Sequence, residues 1–164
     1  MINCRIYNED DFQFLREMLF EAVFWSRIDD RPPLEEGLSY DYTKHILVDF
    51  GTREGDIAVI AEIDGVKAGA AFIRYWSDDI NIRGYISEDI PVLVIGVVED
   101  YRLQGVGGTL IESIKTVTKG NDISKISLCV TRSNVAYHLY NKHNFKIVED
   151  IDSSYNMLWE ADGV

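Results

Sequence analysis

The most distinctive feature of the sequence is a glycine-rich turn at residues 101–110, YRLQGVGGTL. It follows an apolar run, VLVIGVV at 92–98, and precedes apolar residues at helical spacing. Glycines let a ligand approach the backbone closely, and the N–H groups of a helix N-terminus carry partial positive charge. The turn therefore predicts a site for an anion such as a diphosphate. Tight packing of the turn without a ligand is an alternative that the glycines alone leave open.

Two other phosphate-binding motifs are excluded at this turn. The P-loop pattern G-x-x-x-x-G-K-[ST] is absent, and Leu110 stands where the dinucleotide pattern G-x-G-x-x-G requires its third glycine. Any phosphate held here would be held by backbone N–H groups without a lysine.

Two spaced motifs carry a resemblance to a known family. The first is Arg102-x-x-Gly105-x-Gly107, and the second is NVAYHLYNKHNF at residues 134–145. The first resembles [RQ]-x-x-G-x-[GA], the coenzyme A signature of the GNAT superfamily of acyl-CoA-dependent N-acetyltransferases. The second is similar to a later family motif, N-x-x-A-x-x-L-Y-x-x-x-G-F. The resemblance runs from Asn3 to about Glu160, with its specific residues at 95–145.

The resemblance implies one domain over residues 1–164, of the α/β class, with a central mixed sheet flanked by helices on both faces. It implies acetyl-CoA as the acyl donor. The central strand would bind the pantetheine arm through its backbone, and the glycine-rich turn would bind the pyrophosphate. The implied coenzyme residues are Ile95, Val97, Arg102, Leu103, Gln104, Gly105, Val106, Gly107, Gly108, Thr109 and Asn134.

The resemblance also implies catalytic roles. Tyr140 matches the tyrosine that often protonates the departing coenzyme A thiolate. A glutamate that some members carry near the start of the central strand falls at Pro91 here. We therefore predict Glu88 as the general base, with Asp89 and Glu62 as alternatives. The three histidines, His45, His138 and His143, lie on predicted helices without carboxylates at useful spacing and are interpreted as structural.

Hydrophobic periodicity predicts the elements that position these residues. Asp64-Gly65 between two apolar runs predicts a hairpin, and Gly96 inside a strand indicates a bulge or a close backbone approach. The predicted strands are 3–7, 57–63, 66–75, 92–98, 125–131, 145–150 and 155–160, and the predicted helices are 8–23, 42–50, 106–119 and 133–143.

Composition narrows the function classes. The chain has 164 residues and a net charge of −12, and residues 1–100 hold 21 acidic and 9 basic residues whereas the remainder holds 7 of each. Without a cluster of Lys and Arg, nucleic-acid binding is disfavoured. The apolar run at 90–98 is too short to span a membrane. The N-terminus has no secretion-signal pattern, so we expect a cytoplasmic protein.

The two cysteines, Cys4 and Cys129, have neither disulfide-framework nor metal-site spacing. We therefore expect two buried thiols and no metal.

These observations favour an N-acetyltransferase in which a primary amine, a small molecule or a peptide, attacks acetyl-CoA directly in a ternary complex. The rival hypothesis is a coenzyme A-binding regulatory or interaction module without turnover, since Pro91 stands where some family members carry their catalytic glutamate. The excess of acidic residues within residues 1–100 has two explanations: it keeps the protein soluble, or it attracts a cationic, polyamine-like acceptor. Family members are often dimers, so the resemblance also raises the expectation of a homodimer.

Overall fold

The computed structural model describes residues 1–162, and the predicted domain boundary at 164 lies outside this range. This range contains seven strands and four helices, with 3-10 turns at 9–11 and 99–101. The strands are β1 (Ile2–Ile6), β2 (Ile57–Ile63), β3 (Val66–Arg74), β4 (Val92–Val97), β5 (Lys125–Thr131), β6 (Lys146–Ile151) and β7 (Ser154–Glu160). The helices are α1 (Phe12–Val23), α2 (Leu34–Gly37), α3 (Val106–Gly120) and α4 (Ala136–Lys142).

The strands form a single mixed sheet in the order β1-β2-β3-β4-β5-β7-β6. Each neighbouring pair is antiparallel except β4 and β5, which are parallel. The predicted hairpin is confirmed, because Asp64 and Gly65 both adopt positive φ, 51° and 82°, between β2 and β3. A parallel pair requires a crossover, and α3 supplies it between β4 and β5.

Helices cover both faces of the sheet, as predicted. On one face Leu15, Met18 and Leu19 of α1 pack on Ile60 and Phe72. On the other face Leu110, Ile111 and Ile114 of α3 pack on Val59 and Ile73. Adjacent residues of β2 and β3 therefore point into opposite cores, which explains why these strands are almost continuously apolar.

The predicted helix at 42–50 is wrong, because this segment forms a succession of turns instead. Arg74 projects from the end of β3 and donates to the carbonyls of Ile46 (3.1 Å) and Val48 (2.7 Å). In a helix, those carbonyls would instead accept hydrogen bonds from the N–H groups of the residues four positions later. Asp49 also adopts φ 54°, which a continuing helix does not allow. A short helix, α2, forms instead directly after Pro32-Pro33.

The turn segment is held by a buried ion pair. Arg74 is 1% exposed and the Asp56 side chain 0%, and Nε and Nη2 of Arg74 donate to the Asp56 carboxylate at 2.9 Å each. Asp56 also accepts the N–H groups of Gly51 and Arg53. Burial raises the pKa of Asp56, but Arg74 and the two N–H groups lower it more, so the net pKa lies below the usual value.

In residues 1–162, no helix is both long and apolar enough to cross a lipid bilayer.

We predict that Asp56→Asn lowers the free energy of unfolding by about 3–5 kcal/mol, because it leaves the buried Arg74 without its counterion. Urea denaturation measures this difference. The matched control is Asp30→Asn, which removes the exposed Arg27–Asp30 pair and should cost much less, since exposed pairs are screened by water and salt. Equal losses in the two variants would contradict the assignment of Arg74–Asp56 as the contact that holds the turn segment.

Candidate active site

The sheet opens between β4 and β5. These strands pair at one position, Val92 with Ser127, where the Ser127 N–H donates to Pro91 O at 3.0 Å. Beyond that pair they part toward their carboxyl ends, and we call this opening the fork. The Val98 N–H donates to Ala68 O on β3, so the alternation of an antiparallel strand turns the peptide groups of Ile95 and Val97 away from β3 and into the fork. The peptide groups of Ile95 and Val97, the two β4 positions predicted to bind the coenzyme arm, therefore face the fork.

The predicted bulge at Gly96 is wrong. β3 and β4 pair in continuous register from Gly69–Val97 to Arg74–Val92. The alternative reading, a close backbone approach, is confirmed, but the approaching backbone belongs to α1. A Cβ atom on Gly96 would overlap the carbonyl oxygen of Met18. Glycine at this position lets α1 lie directly on β4.

The glycine-rich turn leads from β4 into α3. Leu103 and Gly105 adopt positive φ, 61° and 89°, and the Leu103 side chain is fully exposed. The first helical bond runs from the Thr109 N–H to Gly105 O (3.1 Å), and the Thr109 hydroxyl donates to the same oxygen (2.9 Å). The N–H groups of Val106, Gly107 and Gly108 therefore precede the helical ladder and point out of its N-terminus, the geometry that binds anions.

Gly107 and Gly108 also serve packing. A Cβ atom on Gly107 would lie 2.9 Å from Leu139 Cδ2, and one on Gly108 would lie 3.1 Å from His143 Nε2. Both neighbours belong to α4 or its C-terminal cap. The two readings of these glycines, ligand approach and tight packing, are therefore compatible, because the glycines bring α4 against the first turn of α3.

The surroundings of one histidine, His143, differ from those predicted. His143 Nδ1 lies 3.0 Å from Glu112 Oε2, so His143 does have a carboxylate partner. Lys115 also contacts Glu112 (3.2 Å) and the carbonyl of His143. Burial raises the pKa of Glu112, and its contacts with His143 and Lys115 lower the pKa to a net value below normal. Sequence spacing could not reveal this pair, because its members lie 31 residues apart on different helices.

The side chain of Arg102 forms hydrogen bonds within the protein. Its Nε donates to Val97 O (3.2 Å) and its Nη2 to Glu21 Oε2 on α1 (2.8 Å). Arg102 thus ties the start of the turn to both β4 and α1. No sequence signal pointed to Glu21, which lies 81 residues away.

Tyr140 and Asn134 lie on and before α4. The Asn134 side chain accepts the Ala136 N–H (2.9 Å), so it caps the helix start. Asn134 also stands two residues before Ala136, whereas the family asparagine stands three before its alanine. At the other end Asn144 adopts φ 69°, the left-handed cap that glycine provides in the family pattern. Burial raises the pKa of Tyr140 to about 12, so its hydroxyl stays protonated at neutral pH.

The predicted bases lie apart from the turn. Glu88 is exposed in the loop before β4, near the closed end of the fork. Its neighbour Asp89 accepts from Ser87, a contact that lowers the pKa of Asp89. Glu62 forms an ion pair with Arg5 at 2.8 Å. Among residues 1–162, no three His, Cys, Asp or Glu side chains are grouped to hold a metal ion.

Comparison with known proteins identifies the family. The family model described as an acetyltransferase (GNAT) domain matches residues 54–147, more than half of the chain. The chain therefore belongs to the GNAT acetyltransferase family. It is accordingly an acyl-CoA-dependent N-acetyltransferase, which confirms the predicted family and enzyme class.

Solved structures show the same fold. A PaiA N-acetyltransferase from Thermoplasma acidophilum, solved in complex with coenzyme A, is 20% identical with a TM-score of 0.73, covering 98% of this chain and 99% of that one. A GNAT acetyltransferase from Streptococcus pneumoniae is 20% identical with a TM-score of 0.67 and the same coverage. YncA from Salmonella typhimurium, with acetyl-CoA, is 14% identical with a TM-score of 0.68, covering 99% and 95%.

Proposed function

We propose that this protein transfers the acetyl group of acetyl-CoA to a cationic primary amine by direct attack in a ternary complex. The observation that carries the proposal is the fork, where strand backbone is left unpaired beside the N-terminus of α3. Bound acetyl-CoA supplies an acetyl thioester, an activated acyl group that an amine can attack without a covalent enzyme intermediate.

The chain's own groups fit such a ligand. The N–H groups from Leu103 to Gly108 hold the diphosphate at the positive end of α3. The peptide groups of Ile95 and Val97 hold the pantetheine arm as a neighbouring strand would. Arg102 already occupies the Val97 carbonyl, which leaves the Val97 N–H for the ligand. Gln104 and Thr109 brace the turn through Asp100 O and Gly105 O. Asn134 contributes indirectly, because it caps the start of α4.

Catalysis combines positioning with proton transfer. An N–H group of β4 that points into the fork, that of Ile95 or Val97, polarises the acetyl carbonyl. Tyr140 donates a proton to the departing thiolate, a role that suits a hydroxyl whose raised pKa keeps it protonated. Glu88, or water, removes the proton of the amine.

The acceptor is proposed to be cationic because negative charge is concentrated in the loop at 77–90. Burial and the nearby carboxylates of Asp78, Asp79, Glu88 and Asp89 raise the pKa of Tyr85. In contrast, Asp30 and Glu35, two acids of the α1–α2 region, are paired with Arg27 and Arg16. The loop lies across the sheet, since a Cβ atom on its Gly84 would approach the backbone of Leu128 and Cys129 on β5.

Coenzyme binding is tested by a charge-matched pair at Gly108. We predict that Gly108→Asp weakens binding of coenzyme A about 10- to 100-fold more than Gly108→Asn, because a carboxylate several ångströms from the diphosphate repels it. Both variants add the same Cβ atom, which would lie 3.1 Å from His143 Nε2, so a change in packing against α4 is common to both. Aspartate is also favourable in the first turn of a helix without ligand. Isothermal titration calorimetry measures both affinities. Equal affinities for the two variants would exclude a diphosphate at this helix end.

Tyr140→Phe is predicted to lower kcat about 10- to 100-fold, near or somewhat below the usual effect of a general acid, with unchanged affinity for coenzyme A. Thiol release from acetyl-CoA with a panel of amines gives kcat. The control is Tyr137→Phe, which removes a hydroxyl from the same helix and should keep the wild-type rate. If Tyr140→Phe is as active as the control, Tyr140 is only a packing residue. Coenzyme binding without thiol release from any amine would favour the rival binding module.

The charge of the acceptor predicts a salt effect. We expect kcat/KM to be higher for spermidine than for neutral or acidic amines, and the advantage to shrink at high salt, because an acidic cleft raises association rates about 10- to 1000-fold. Replacing both Asp78 and Asp79 by Asn should reduce the preference, whereas Asp152→Asn, an exposed change on the β6–β7 turn, should not. Equal kcat/KM values without salt dependence would leave the acidic loop as a solubility feature.

A further inference from the structure

A chain of polar contacts joins the fork to the segment that follows α1. Arg102 bonds the Val97 carbonyl (3.2 Å) and Glu21 (2.8 Å). Both oxygens of Glu21 also accept from Nη1 of Arg31 at 2.9 Å. Arg31 in turn donates from Nε to Arg27 O (3.0 Å). We call residues 24–33 the α1–α2 segment.

Glu21 is the carboxylate on which both guanidinium groups depend. Arg31 forms its ion pair with Glu21, and its buried Nη2 has no hydrogen-bond partner within residues 1–162. Arg102 pairs with the same carboxylate. Glu21 is about one-fifth exposed, so water screens these contacts less than it screens an exposed pair.

We propose that Glu21 is a positioning residue that couples the coenzyme site to the α1–α2 segment. The inference rests on the proposed function, in which the coenzyme contacts Val97 and the turn on either side of Arg102. A ligand that immobilises those backbone groups fixes Arg102, which fixes Glu21, which fixes Arg31 and the segment behind it. Because coupling is reciprocal, an ordered segment also strengthens coenzyme binding.

The α1–α2 segment is connected to one particular end of the fork. Val97 is the last residue of β4, at the open end of the fork, and α1 lies on the face of β4 opposite α3. The α1–α2 segment is therefore joined to the open end from the face that α3 leaves uncovered. Ordering of the segment would therefore stabilise the α1 side of this open end when the acyl donor is bound.

Hydrogen exchange of the whole protein, with and without coenzyme A, tests the coupling without knowledge of the acceptor. In the wild type we expect coenzyme A to slow exchange in residues 24–33 about 5-fold or more, the lower end of typical coupling. In Glu21→Gln the turn should still become protected, but residues 24–33 should not. Glu17→Gln is the control, because Glu17 is an exposed glutamate one turn earlier on α1, and it should behave as the wild type.

The outcomes separate the two proposals. If coenzyme A protects neither the turn nor β4 in the wild type, the proposed function fails. If it protects both, but residues 24–33 respond equally in Glu21→Gln and the wild type, or in neither, the coupling is overturned. Arg31→Met provides a second variant in case Glu21→Gln does not fold. It keeps Arg102–Glu21 intact and should also lose the response of residues 24–33 while the turn stays protected.

Discussion

The parting of β4 and β5 after one pair is the constraint on which the rest of this structure depends. Strand backbone in the middle of a sheet normally finds partners on both sides, and unpaired peptide groups are costly when buried. The opening is tolerated because each strand keeps a full antiparallel neighbour, β3 for β4 and β7 for β5. The seven-stranded sheet therefore stays continuous at one end of the fork while its middle offers a strand edge to a ligand.

Two glycines hold the opening in place by close contact. Gly96 brings the backbone of α1 onto β4, and Gly84 brings the preceding loop against Leu128 and Cys129 of β5. A side chain at either site would push its partner away from the sheet, so each branch of the fork is held from the same side by a different segment. The buried Arg74–Asp56 pair plays a comparable role farther out, because it captures the carbonyls of the turn segment that covers the α1 face.

Sequence reasoning succeeded where the determinants are local. Alternating apolar residues, Asp64-Gly65 and the glycine-rich turn act over a few residues, and the strands and α3 follow from them. It failed at residues 42–50, where Arg74 from a distant strand takes the carbonyls that a helix needs. It also missed Glu21 and the Glu112–His143 contact, since ion pairs between remote elements leave no spacing to read. Gly96 is an intermediate case, because the sequence indicated that another backbone approaches closely there but did not indicate that this backbone belongs to α1.

On the proposed function, the acidic loop has two opposed effects on an amine acceptor. Carboxylates attract an ammonium ion and also hold it protonated, whereas only the neutral amine can attack. A free primary amine with a pKa of about 10.4 is already mostly protonated at neutral pH. The conflict is resolved if capture and reaction occur at different places, with capture at the exposed loop and reaction among Ile95, Val97 and their apolar neighbours. Desolvation there lowers the amine pKa, so the proton that attraction retained passes to Glu88 or water as the amine moves from the loop into the fork.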